Sequence, residues 1–178
     1  MVTRANAAVQ NTKTELDVCL GKTGTPVGKL VFVRNGPRVF TQFGYFQEWL
    51  DHADTFNVSA DLAAAPGFQT RKPVTKEDSL FFLALGDTEP DAWGRRVIAR
   101  AHAKRREEDP KLGALTELDY LCAVDDFSRM GALRLRNARG VYLESAPEGR
   151  RATPPMLELE KMLSSSRAVE LGKETEIG

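Results

Sequence analysis

Apolar and polar residues alternate along the first third of the chain and recur at helical spacing behind it. Leu16-Asp17-Val18-Cys19-Leu20 alternates roughly, and Gly21, Gly24 and Pro26 make a turn. Val27-Gly28-Lys29-Leu30-Val31-Phe32-Val33 then reads as a clear strand, so the pattern predicts a hairpin. Gly36-Pro37 marks the next turn, and Val39 to Tyr45 forms a third, aromatic-rich strand ahead of a helical turn at Phe46 to Leu50. From Asp51 to Thr75 the periodicity is poor and Ala63-Ala64-Ala65-Pro66-Gly67 breaks any helix, which predicts a long loop holding one short strand. Leu80-Phe81-Phe82-Leu83-Ala84-Leu85 is apolar all round, a buried helix or a buried strand that period alone does not separate.

Thr88-Glu89-Pro90-Asp91 supplies a cap, a first-turn proline and an early acid for the next helix. That helix is expected to place Trp93, Val97, Ile98 and Ala101 on an apolar face, with Arg95, Arg96, Arg100, Lys104, Arg105 and Arg106 on a basic one. Glu107-Glu108-Asp109-Pro110 stops it. The chain is organised around Leu115 to Arg136. Thr116 with Asp119 is a capping-box variant, and Leu118, Leu121 and Cys122 recur at helical spacing. Asp125-Asp126-Phe127-Ser128-Arg129 is a polar turn, and Gly131-Ala132-Leu133-Arg134-Leu135 alternates like a strand.

At the ends the pattern fades. Met1 to Thr14 reads as a mobile tail, with order expected to begin near Glu15. Gly140, Pro147 and Gly149 bracket and break a last strand at Val141-Tyr142-Leu143, and Arg150 to Pro155 reads as a linker. Helical pieces are expected at Met156 to Leu163 and Ser166 to Gly172, with Ser164-Ser165-Ser166 as cap and hinge between them. The expected class is α+β: a small, mostly antiparallel sheet or partial barrel packed with several helices, followed by a helical linker. The expected division is a tail over 1–14, a domain over 15–149 and a linker with helical segment over 150–178.

Composition narrows the function classes. Lys plus Arg and Asp plus Glu number 25 each, so no overall charge favours nucleic acid, a membrane surface or acidic substrates. Cys19 and Cys122 suit buried thiols in a reducing compartment. No apolar run approaches the ~20 residues of a spanning helix, and Met1 to Glu15 lacks the apolar core of a secretory signal, which places the expected location in the cytoplasm.

Candidate chemistry is sparse. Gly21-Lys22-Thr23 looks like the end of a phosphate-binding loop, but Leu16 stands where that motif needs glycine and a hairpin follows instead of a helix. Asp126-Phe127-Ser128 imitates the magnesium-holding Asp-Phe-Gly of protein kinases without the upstream catalytic Asp and Asn. Asp125 and Asp126 therefore read as structural acids, accepting from nearby amides or pairing with Arg129 or Arg95. Lys104-Arg105-Arg106 is the densest basic cluster, and the adjoining Glu107, Glu108 and Asp109 make a solvated face the favoured reading over nucleic-acid binding. His52 and His102 lack partners at metal-ligand spacing, and no serine, cysteine or histidine set looks like a nucleophile with its base. Trp49 and Trp93 read as core anchors.

Two stretches carry a resemblance. Leu118 to Arg136, with its Leu-Asp-Tyr-Leu and Arg-Met-Gly-Ala-Leu-Arg runs, and Asp91-Ala92-Trp93-Gly94-Arg95-Arg96 are similar to the N-terminal region of HipA-type serine/threonine kinases, the toxin partners of bacterial toxin–antitoxin pairs. Weaker similarity runs from about Leu16 to Ile177, and it favours helix at Leu80 to Leu85. The resemblance implies a non-catalytic region, a small sheet with helices that packs on the kinase core and helps contact the antitoxin or a neighbouring subunit. It carries over no catalytic, cofactor-binding or metal residue, because the family's ATP-covering loop and catalytic aspartates lie further along. ATP and magnesium are expected only in a full-length kinase, whose relatives phosphorylate a translation-related protein. Implied partners are a HipB-like helix-turn-helix antitoxin and a kinase core in cis or in trans, with DNA reached only through the antitoxin and no membrane. Trp93, Arg95, Arg96, Asp125, Asp126 and Arg129 are the signature residues, expected to tie helix to turn or to meet a partner. The expectation is thus the N-terminal part of such a kinase, as a fragment or a shortened product. The alternative is a stand-alone module that docks on a separately encoded kinase core and inhibits it.

Overall fold

The computed structural model describes residues 11–75, 78–126, 129–143 and 167. Three long strands, β1 (Thr12–Leu20), β2 (Thr25–Asn35) and β3 (Arg38–Tyr45), form an antiparallel meander. β1 begins at Thr12, ahead of the expected Glu15, because β2 is long enough to pair Thr12 with Arg34, and residues 1–10 of the expected tail lie outside the described residues. The β1–β2 turn holds Gly21 and Gly24 at φ 69°, a left-handed conformation that costs glycine little. Gly21-Lys22-Thr23 is therefore a hairpin turn, as its spacing predicts.

A helical turn, α1 (Gln47–Leu50), follows β3, and β4 (Phe68–Arg71) is the short strand expected within the long loop. With β5 (Leu133–Arg136) the five strands form one open antiparallel sheet in the order β4-β3-β2-β1-β5. With the helices this makes a mixed α+β fold. The last strand expected at Val141-Tyr142-Leu143 is reduced to one bridge between Arg136 and Tyr142.

Strand register sorts the two faces. Leu16, Leu30 and Phe43 lie side by side across β1, β2 and β3, with Val18 beside Leu135, and all five are buried. The opposite face carries Glu15, Asp17 and Lys29, with Lys29 Nζ 3.1 Å from Glu15 and 3.6 Å from Asp17. Both Lys13 and Lys29 hold the Glu15 carboxyl below its ordinary value.

The apolar face is covered by the long loop. Leu62, Leu80, Phe81, Phe82 and Leu85 are buried there, and Phe82 meets Phe43 edge-on at 6.3 Å. Three strand side chains satisfy the loop's backbone. Thr41 Oγ1 donates to the Leu80 carbonyl at 2.6 Å, Tyr45 Oη to Leu62 at 3.0 Å, and Arg71 Nε to Ser79 at 3.2 Å. Within the loop, Asp61 accepts from the Leu83 amide, Arg71 Nη1 and the Ser59 hydroxyl, which fixes α2 (Leu83–Gly86). The apolar run at 80–85 is thus neither one strand nor one helix. Leu80, Phe81 and Phe82 enter the core before the helix starts, and hydrophobicity with no period fits that geometry.

Two compact units emerge. The sheet unit takes in the described residues through Thr88 together with Met130–Tyr142, and Glu89–Arg129 belongs to the other. The second unit holds α3 (Ala92–Glu108) and α4 (Glu117–Cys122). The helical pieces expected at 156–163 and 166–172 lie outside the described residues, Arg167 excepted, as do Phe127, Ser128 and the serines at 164–166. Among the described residues no helix is long and apolar enough to cross a membrane.

Gly28 is the tightest point of the sheet, where an added Cβ would lie 2.5 Å from the Gly44 carbonyl oxygen and 2.6 Å from the Phe43 ring. We predict that Gly28→Ala destabilises the protein by about 1–3 kcal/mol. Gly113→Ala, which faces open space, should stay within about 0.5 kcal/mol of wild type. Urea unfolding of the two variants checks both; equal stabilities would contradict the packing described.

Candidate functional site

The resembling stretches meet in the second unit. α3 starts at Asp91, whose Oδ1 accepts from the Gly94 amide at 2.7 Å. The cap is thus Asp91 and not Thr88, whose hydroxyl is turned back to the Leu85 carbonyl at 2.8 Å and closes the preceding turn. α4 starts with a full capping box: the Asp119 amide donates to Thr116 Oγ1 at 3.2 Å, and the Thr116 amide donates to Asp119 Oδ2 at 2.6 Å. Aspartate does the work of the usual Glu or Gln here.

Arg95 joins the helices. Its Nη2 lies 2.8 Å from Glu89 Oε1 and 2.7 Å from Glu117 Oε2, while the guanidinium carbon stands 4.6 Å from the centre of the Tyr120 ring. One planar cation thereby holds the residue two before the α3 cap, the first turn of α4 and an aromatic face, a combination a lysine would not reproduce. The Glu117 bond holds the Arg95 guanidinium above its ordinary value, against partial burial. Glu89, Glu117 and Tyr120 were not singled out in the sequence; the acid-rich first turn of α4 was the one signal pointing to them.

Arg129 closes the other end of α4. It is 7% exposed and its Nη2 donates to the carbonyls of Leu121 at 3.0 Å and Val124 at 2.9 Å. Burial pulls its guanidinium below the ordinary value, and the charges of Cys122, Asp126 and Asp125 oppose that. Asp125 and Asp126 are half-buried beside this turn. Arg95 pairs with neither; glutamates take its ion pairs.

The remaining signature residues point elsewhere. Trp93 is 41% exposed, where a core anchor was expected, and Arg96 is exposed. α3 has no buried residue at all. Trp49, by contrast, is buried as expected, edge-on to Phe56 at 5.2 Å and stacked on His52. His102 Nε2 sits 2.8 Å from the Gly113 carbonyl.

Comparison with protein-family models, with curated proteins and with solved structures finds no match. The residues themselves must carry the reading. Among the described residues no group of three or more His, Cys, Asp or Glu side chains is placed to hold a metal ion; Cys19 is buried and Cys122 half-buried. Two clefts open in the sheet unit. One of about 470 Å³ is lined by Asp17, Pro26, Phe46, Trp49, His52 and Arg136. One of about 580 Å³ is lined chiefly by Leu20, Phe56, Val58, Ala84, Met130 and Leu133. Chemically, Arg129 closes a helix end and Arg95 ties helix to helix.

Arg129 supplies the test of this structural role. Replacing it by Met removes the donor from two carbonyls at the end of α4, at about 1–3 kcal/mol for each one left bare. Hydrogen exchange at the α4 amides should accelerate in Arg129→Met; unchanged protection would show that Arg129 does not close the helix.

Proposed function

We propose that this chain is the non-catalytic N-terminal regulatory and interaction region of a HipA-like serine/threonine kinase toxin from a bacterial toxin–antitoxin pair. The observation that supports this reading is the meeting of the two resembling stretches. Arg95, from Trp93-Gly94-Arg95-Arg96, lies over Tyr120 inside the second stretch and is bound to Glu117, the residue just ahead of it. The similarity therefore falls on residues that hold one another, which is what a shared folded element requires and a chance run of matches does not.

On this reading the signature residues build a surface and move no phosphoryl group. ATP, magnesium and the catalytic aspartates belong to a kinase core supplied in cis or in trans, which in relatives acts on a translation-related protein. The other partner is a HipB-like helix-turn-helix antitoxin, and DNA is reached only through it. The cytoplasm is the location such a system uses. A second reading, a stand-alone module that docks on and inhibits a separately encoded kinase core, is favoured by the half-exposed Phe56 and the exposed Met130 that border the larger cleft. Apolar side chains gathered at a cleft suit a surface that a larger assembly covers.

Immunoprecipitation of the native protein from source cells, followed by peptide sequencing, tests the proposal. Kinase-core peptides should appear, continuous with this chain or on a second polypeptide, and calorimetry should show no saturable magnesium-ATP binding by the 178-residue chain. Absence of kinase-core peptides, or saturable ATP binding by the chain alone, would overturn it.

A further inference from the structure

The polar face of the sheet holds a pair of opposite charges that does not close. Asp17 of β1 and Arg136 of β5 stand directly opposite each other in the antiparallel register. An arginine and a carboxylate so placed ordinarily join through hydrogen bonds of about 2.7–2.9 Å. Here Arg136 Nη2 stops 3.9 Å from Asp17 Oδ2. Lys29 also stops short of Asp17, at 3.6 Å, and its ammonium lies nearer to Glu15, at 3.1 Å. Both distances to Asp17 are beyond hydrogen-bond reach.

Neither group is satisfied elsewhere. Among the described residues the Asp17 carboxylate and the Arg136 guanidinium make no hydrogen bond, and Arg136 Nε is shut off from solvent with no acceptor. Tyr142 gives little relief, since Arg134 lies 3.5 Å from the centre of its ring and Arg136 only 5.9 Å. The Arg136 and Asp17 side chains are 24% and 28% exposed. Half-buried charges without hydrogen bonds cost stability until something completes them.

The same two residues line the cleft of about 470 Å³, a size within the roughly 300–1,000 Å³ of small-molecule sites. Beside them the lining is apolar at the exposed Pro26 and the half-buried Phe46, with Glu48 adding a second acid. Charge selects the occupant. A simple anion would meet Asp17 and Glu48 as well as Arg136, and a simple cation would meet Arg136 as well as the two acids. A water bridging the pair would leave Pro26 and Phe46 against solvent. An α-amino acid carries both charges on one carbon, its ammonium nitrogen and carboxylate oxygen about 3 Å apart by standard bond lengths. A guanidinium and a carboxylate 3.9 Å apart suit that spacing, one for each pole. We propose that this cleft binds a free α-amino acid with an apolar side chain, its carboxylate on Arg136, its ammonium on Asp17 and its side chain along Pro26 and Phe46. The site lies wholly within the sheet unit, so it stands whether or not a kinase core accompanies the chain.

Calorimetry of the 178-residue chain with L-leucine and with L-phenylalanine tests the site. At least one should bind saturably. Its N-acetyl and amide derivatives, which lack the ammonium and the carboxylate charge in turn, should bind about tenfold more weakly or worse. Arg136→Met and Asp17→Asn should each cause a similar loss, with thermal unfolding showing that both variants fold. The derivatives act on the wild-type chain, so that arm of the test needs no variant. No saturable binding of either amino acid up to about 10 mM, equal binding of either derivative, or unchanged binding in either folded variant would overturn the proposal.

Discussion

Among the described residues of the second unit, one guanidinium joins the two helices. There α3 buries no residue and α4 buries Leu118 and Leu121, so these two helices bring little buried apolar surface of their own. Arg95 supplies what packing does not, reaching Glu89 and Glu117 through Nη2 while its plane covers Tyr120. Exposed ion pairs generally contribute little, but a planar cation held by two carboxylates and a ring loses less freedom per bond formed than a lone surface pair. Arg129 acts in the same way at the far end of α4, donating to the Leu121 and Val124 carbonyls. Polar side chains thus position both helices.

The sheet unit is built on the opposite principle. Its stability lies in the buried layer of Leu16, Leu30, Phe43, Val18 and Leu135, covered by Phe81, Phe82, Leu62 and Leu85 from the long loop. Polar groups enter that layer where the loop's backbone needs them, as with Thr41 under the Leu80 carbonyl and Tyr45 under Leu62. An irregular loop can pack on a sheet when strand side chains satisfy its carbonyls. The chain therefore joins a unit held by apolar burial to a unit held by arginine, and the stretch from Leu115 to Arg136 runs from one into the other.

Elements set by local chemistry were readable in advance. The Thr116–Asp119 box, the glycine turn after β1 and the meander all follow from neighbours in sequence, and one short strand was expected in the long loop without its place at Phe68–Arg71. Features set by distant partners were not. Trp93 reads as core because Val97 and Ala101 share its spacing, yet Arg96, Arg100 and Lys104 share that stripe too, and apolar spacing alone does not say which face turns inward. Thr88 and Asp91 are both good caps; the choice depends on the Leu85 carbonyl, which takes the Thr88 hydroxyl. Glu89 and Glu117 were invisible as partners of Arg95 because their meeting depends on how α3 and α4 pack.

The central claim is that the two resembling stretches form one element through Arg95. A double-mutant cycle on Arg95→Ala and Tyr120→Ala, read by urea unfolding of the 178-residue chain, tests it most directly. The account predicts a coupling of about 0.5–3 kcal/mol, as found for residues in contact. Effects that add to within about 0.3 kcal/mol would mean that the stretches fold beside each other without being joined, and the argument from their meeting would fail.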